Sequence, residues 1–366
     1  MKSTKPKMNW KDPTKDELRS EIITKESHKH GNMVVLLPSN QCLDIEEGIK
    51  NGTFDVKKDY FVLVEKNGKV ARDIKSYALK NKLKYVIVRK DVARIDWVED
   101  KDLKDFRKKH GNPKIDYMYI DTCGVFSFNS LPFFGYLAKA KKAGILSRNF
   151  TLWTNYSINI RVSQYMLKAV GNIQDLYYKS ATEFKNNVNM DCFYEYAQNK
   201  QRTNPSGFDS WVETHSTIEN AVNTYSAQRI LLNGLSHNIE AKSIWYKCKG
   251  KSTWMLLSKF SWKNGSVSNI NLNDFNSKLW LLGQVDYVMK PSSSEQNGSF
   301  NRYFRNKGIT NSFRELLVNS IKNKCHVENI KMQVESKTVD IDLTKSRSIS
   351  AKKAWKTRRK NAKIKA

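Results

Sequence analysis

Four places in this chain put chemically useful side chains directly after apolar runs of strand length. Met33 to Leu37 (MVVLL) is followed by Pro38, Ser39 and Asn40. Tyr60 to Val64 (YFVLV) runs into Glu65 and Lys66, and Lys84 to Val88 (KYVIV) ends near Asp91. Ile115 to Ile120 (IDYMYI) ends on Asp121, with Thr122, Cys123 and Gly124 behind it. A carboxylate in such a position can accept hydrogen bonds or take a proton from a reacting group. A cysteine becomes a nucleophile where its thiolate is stabilised. Asp121 and Cys123 are the side chains of the fourth place that could do chemistry of these kinds.

These side chains need a frame. The runs are short and near-continuously apolar, the type buried on both faces of a parallel sheet. Helical spacing lies between them. CLDIEEGIKNG reads as a helix stopping at Gly52, Lys69 to Lys82 as an amphipathic helix, and Leu131 to Ala143 as a helix ending at Gly144. Phe150 to Thr154 (FTLWT) supplies a fifth strand. Alternation of this kind predicts an α/β fold with a doubly wound, mostly parallel sheet. Residues 157–237 read as a helical insertion rich in aromatics. Ala241 to Lys247 and Thr253 to Trp262 then read as an antiparallel hairpin that closes the sheet. The expected organisation is a polar N-terminal arm over 1–30, a main domain over 31–264, a small C-terminal extension over 265–344 and a basic tail over 345–366.

Five strand–helix units followed by a terminal hairpin resemble the class I S-adenosylmethionine (SAM)-dependent methyltransferase superfamily, over roughly residues 30–264. The resemblance implies a seven-stranded sheet with an antiparallel last strand, and SAM as cofactor. It implies cofactor contacts just past the first strands, on Leu37, Pro38, Ser39, Asn40, Glu65, Lys66, Asp91, Asp121 and Thr122. Glu65 stands where the family's acidic residue takes both ribose hydroxyls. Asp91 stands near the adenine. Asp121 matches the acidic first position of the motif of amino-directed DNA methyltransferases, whereas Thr122 and Cys123 replace its prolines and Gly124 its aromatic. The resemblance makes Asp121 a catalytic candidate, and Cys123 another by analogy with the nucleophile of cytosine-C5 methyltransferases, with Thr122 where those enzymes carry proline. The first loop, LLPSNQC, carries no glycine where the family has several, and Asn40 is the residue expected to turn left-handed there. A fold that is kept while the cofactor is lost, leaving a nucleic-acid-binding module, is the alternative.

Charge points to the partner. The 366 residues carry 64 Lys+Arg against 36 Asp+Glu, a formal net charge of +28. A protein this basic usually meets a polyanion, and nucleic acid is the commonest. The tail concentrates the effect, with Lys352, Lys353, Trp355, Lys356, Arg358, Arg359 and Lys360 and no acidic residue from Lys345 onward. These residues are the nucleic-acid-binding candidates, ordering on phosphates with Trp355 able to stack on a base. The tail resembles short basic tails of phage-encoded proteins, and the Lys- and Asn-rich composition fits an AT-rich genome. A phage or other viral source is therefore expected.

Other classes are disfavoured. The five cysteines are scattered without a CxxC, so neither a disulfide framework nor a zinc site is expected. His28 and His30 lie close together, but spacing offers no third ligand, and no metal is expected. No signal peptide and no apolar run of membrane-spanning length is visible, so an intracellular protein is expected. The oligomeric state is left open.

Overall fold

A computed structural model describes residues 13–24, 28–126, 130–158, 173–233, 239–247, 253–262, 318–319 and 321–325. The basic tail and most of the C-terminal extension lie outside the described residues. The chain divides into two compact units, one of Met1–Phe193 with His215–Arg314, the other of Tyr194–Thr214 with Glu315–Ala366.

The first unit is built on one sheet. Its strands are β1 (Met33–Leu36), β2 (Tyr60–Val64), β3 (Lys84–Val88), β4 (Ile115–Val125), β5 (Leu146–Ser157), β6 (Val188–Asn189), β7 (Glu240–Lys247) and β8 (Trp254–Trp262). The spatial order is β3-β2-β1-β4-β5-β8-β7-β6. β1 pairs in parallel with both β2 and β4, and the pairings β2–β3 and β4–β5 are parallel too. β8 runs antiparallel to β5 and to β7. This is a Rossmann-like α/β fold with a mostly parallel sheet and a closing hairpin. Among the described residues the sheet has eight strands rather than the expected seven. The eighth is β6, two residues inside the insertion that pair in parallel with β7. So short and polar a segment leaves no hydrophobic period in the sequence.

The apolar runs become strands because each is buried. All four residues of β1 have no exposed surface, nor do Phe61, Val62 and Leu63 on β2. Burying each such side chain contributes about 1.5–3 kcal/mol. Helices α1 (Pro13–Thr24), α2 (Leu43–Lys50), α3 (Gly68–Lys80), α4 (Lys101–Lys109) and α5 (Leu131–Lys142) accompany the first five strands. On α3, Ala71, Ile74 and Ala78 are buried at helical spacing, and Asn67 caps its start by accepting from the N–H groups of Lys69 and Val70. Helix α4 begins at Asp100, whose side chain accepts from Leu103 N–H. Gly144 closes α5 with φ +69°, a conformation that favours glycine.

In the insertion, α6 (Ile173–Asn187) precedes β6, and α7 (Asp191–Thr203), α8 (Phe208–Thr214) and α9 (Ser216–Asn233) follow. Phe193 stacks on Trp245 of β7, with centroids 4.2 Å apart, and Phe184 lies against Tyr225. These rings are core. In the second unit, Trp211 packs between Tyr196 and Phe208, and Lys324 Nζ lies 3.8 Å from the Tyr194 ring centroid.

The amino ends of the strands carry a polar clasp. Buried His28 lies between Asp59, next to β2, and Asp116 on β4, with Nε2 3.1 Å and Nδ1 2.9 Å from their carboxylates. Burial opposes a charge on this imidazole, but Asp116 and Asp59 outweigh it and raise its pKa to about 9. Phe54 seals the clasp, edge-on to His28, Phe61 and Tyr117.

Phe54 also fits against Gly48 of α2, where an added Cβ would stand 2.1 Å from the ring. Gly48→Ala gains about 1 kcal/mol of helix propensity but overpacks a site that costs about 1–3 kcal/mol to distort. Net destabilisation is expected, read as a lower urea midpoint. A raised midpoint would contradict this packing.

Candidate functional site

The strand order reverses at β1. The chain leaves β1 toward β2 and β3, then returns to its other side as β4. A crevice must open outside the carboxyl ends at such a point. A cleft of about 350 Å³ lies there. Leu37, Pro38 and Ser39 line it from the end of β1, Val64, Glu65 and Lys66 from β2, Lys90, Asp91 and Val92 from beyond β3, and Asp121 and Thr122 from β4. Arg19 of α1 and Asp44 of α2 complete the lining.

Eight of the nine cofactor candidates thus meet in one place. The exception is Asn40, which is exposed and absent from the lining. The left-handed residue of the first loop is also not Asn40 but Cys42, at φ 51°. Cys42 is buried, which pushes its thiol up to about 12 and leaves it inert. Ser39 Oγ accepts from Gln41 N–H at 3.3 Å and firms the turn.

Glu65 and Asp91 are held by their own loops. Glu65 Oε1 accepts from Asn67 N–H at 2.6 Å. Asp91 caps the short 3₁₀ turn Val92–Arg94 through Ala93 N–H and pairs with Lys66 at 3.1 Å. Burial would raise the Asp91 carboxyl, but those two partners hold it below the usual range. Each carboxylate keeps lone pairs for further donors.

Asp121 does not end its strand, as the sequence suggests. β4 continues to Val125, and its register against β5 shifts between Asp121 and Val125. The apolar run stops at Ile120, but pairing to β5 carries the backbone on. Asp121 is fixed from two sides. Lys15 Nζ lies 3.2 Å from Oδ2, and Asn155 Nδ2 donates to Oδ1 at 3.1 Å and to Tyr246 Oη at 2.8 Å. Thr122 Oγ1 donates to the Asn155 carbonyl at 3.3 Å. Cys123 lies within β4, but its side chain is outside the described residues, as are Lys352, Lys353, Trp355, Lys356, Arg358, Arg359 and Lys360.

The residues that sequence reasoning missed come from the N-terminal arm. Residues 13–24 form α1, and its Arg19 is buried, with Nε 2.6 Å from Asp44 Oδ1 and Nη1 2.6 Å from Asp16. Burial pushes the Asp44 carboxyl up, opposed by Arg19 and reinforced by nearby Asp121. Asp44 sits just past the first loop, so its neighbourhood was legible. Nothing in the polar pattern of α1 marks Lys15 and Arg19 as its partners and those of Asp121.

No family model matches the chain, and no curated protein matches it. Among solved structures it is similar to a conserved hypothetical protein of Streptococcus pyogenes, at 13% identity over 39% of this chain and 79% of that one, with a TM-score of 0.25. It is also similar to a protein of Bordetella parapertussis described as a possible exported protein, at 9% identity over 67% of each chain, with a TM-score of 0.32. Superpositions this loose carry no functional argument. Among the described residues no helix is long and apolar enough to cross a membrane.

The buried pair makes a sharp energetic statement. Arg19→Met leaves Asp44 buried without its main cation and should cost about 3–5 kcal/mol, whereas removing both charges in Arg19→Met/Asp44→Leu should recover most of that loss. Urea unfolding of the two variants measures this. Equal losses in both would contradict the pairing.

Proposed function

We propose that this protein is a SAM-dependent methyltransferase acting on nucleic acid. The observation that carries the reading is the cleft at the strand-order reversal, with a carboxylate from the end of β2 in its wall. The strand order β3-β2-β1-β4-β5-β8-β7, with β8 antiparallel, supports it as the arrangement of the class I methyltransferase sheet plus the short β6 at its edge.

The residues present fit the cofactor's chemistry. A cleft of about 350 Å³ falls at the lower end of small-molecule pockets, about 300–1,000 Å³. Glu65 would take the ribose diol, since a carboxylate accepts two hydroxyl hydrogen bonds. Asp91 would face the adenine, and Leu37, Pro38 and Ser39 the methionine end. SAM, when bound, supplies an electrophilic methyl group. The chain's part is to hold the acceptor in line and manage its proton. Asp121 is suited to that, because Asn155 and Lys15 fix its carboxylate beside the cleft.

A second reading has its own support. The first loop has no glycine for close backbone approach, and two of the cleft's acids already pair with cations of α1. A cofactor-free module that binds nucleic acid through its basic surface and tail, as an accessory or counter-defence factor of a virus, would need no more than this.

Transfer of labelled methyl groups from SAM to mixed DNA and RNA separates the two. The enzyme reading expects incorporation that falls by about 10²-fold or more in Asp121→Ala, and that is lost at lower salt when residues 345–366 are deleted. Full-length protein that binds nucleic acid yet transfers no label would favour the module.

A further inference from the structure

The clasp lies at the amino ends of the strands, opposite the cleft at their carboxyl ends, and it has the composition of a metal centre. His28, His30 and Asp59 each present a ligand atom, all within 4.8 Å of one another. Asp59 bridges the two histidines, with Oδ1 3.1 Å from His28 Nε2 and Oδ2 3.0 Å from His30 Nδ1. Zinc bonds of about 2.0–2.1 Å place neighbouring tetrahedral ligands roughly 3.3 Å apart, so the two Asp59 contacts are near that spacing, and the full set, within 4.8 Å, would draw together around an ion.

The surroundings are those of a metal-ligating histidine. Such a histidine commonly turns its second ring nitrogen to a carboxylate, which sets its tautomer and orientation. Asp116 stands 2.9 Å from His28 Nδ1. Asp116 is itself held by Lys29 N–H at 3.1 Å and Asn32 Nδ2 at 3.2 Å. Asp59 is held by the N–H groups of Gly31 and Asp55, at 2.9 and 2.7 Å. The His30 side chain is 36% exposed while those of His28 and Asp59 are fully buried, which gives an ion one way in. Sequence spacing hid the third ligand, because Asp59 lies 29 positions beyond His30.

We propose that His28, His30 and Asp59 form a binding site for a divalent transition-metal ion, zinc by ligand type, with Asp116 orienting His28. Two imidazoles and a carboxylate suit zinc and leave a fourth position open to solvent on the His30 side. The site is independent of the cofactor cleft and of the methyltransferase reading.

The test uses the full chain, stripped with a chelator, dialysed, and titrated with zinc(II) and cobalt(II). One equivalent of zinc per chain should bind with micromolar or tighter affinity and raise the melting temperature. Cobalt(II) should show the visible d–d bands of a tetrahedral site. His30→Ala, at a half-exposed position, should keep the fold and lose at least ~10-fold in zinc affinity, and Asp116→Asn should weaken it by ~10-fold with His30 intact. Failure of the folded full chain to saturate with zinc would overturn the proposal. So would His30→Ala binding zinc as tightly as the unmodified protein.

Discussion

β1 is hydrogen-bonded in parallel on both edges, to β2 and to β4, and each of its residues is fully buried. A strand so placed sends the chain outward on one side and receives it back on the other, and no connection can cross above its carboxyl end. The crevice is therefore a consequence of topology, and the loops that leave the strands can only deliver their side chains into it. Glu65, Asp91 and Asp121 converge for that reason, from segments far apart in the chain.

Convergence creates a charge problem. Asp44, Glu65, Asp91 and Asp121 share one cleft, and carboxylates gathered in a partly buried space repel one another. The chain answers with Arg19 on Asp44, Lys15 on Asp121 and Lys66 on Asp91. The exposed Lys66 pair contributes little to stability, whereas the buried Arg19–Asp44 pair is costly to break from one side. α1 thereby becomes part of the cleft wall. A strongly basic protein has cations to spare, but placing these few at acidic positions is a local feature of the fold.

Much of this was legible in the sequence. The apolar runs MVVLL, YFVLV, KYVIV and IDYMYI became β1 to β4, and the expected hairpin became β7 and β8, because continuous burial leaves a plain mark. The cleft lining was legible for the same reason, since residues following buried parallel strands must meet at one edge. Other features left no local trace. β6 is too short for a period, and β4 runs beyond its apolar segment because β5 pairs with it. The left-handed turn fell on Cys42 rather than Asn40, where burial of the thiol outweighs side-chain preference. Arg19 reaches Asp44 across 25 positions, and His30 reaches Asp59 across 29. Such pairings exist only once the sheet has formed.

The claim most directly open to measurement is that the cleft between the strand ends holds an adenosyl ligand through Glu65. Calorimetric titration of S-adenosylhomocysteine into the full-length protein is expected to give one saturable site, weakened in Glu65→Ala by about 1–3 kcal/mol, the usual cost of unpairing buried polar partners. No detectable heat at millimolar ligand, or an affinity unchanged by Glu65→Ala, would contradict it.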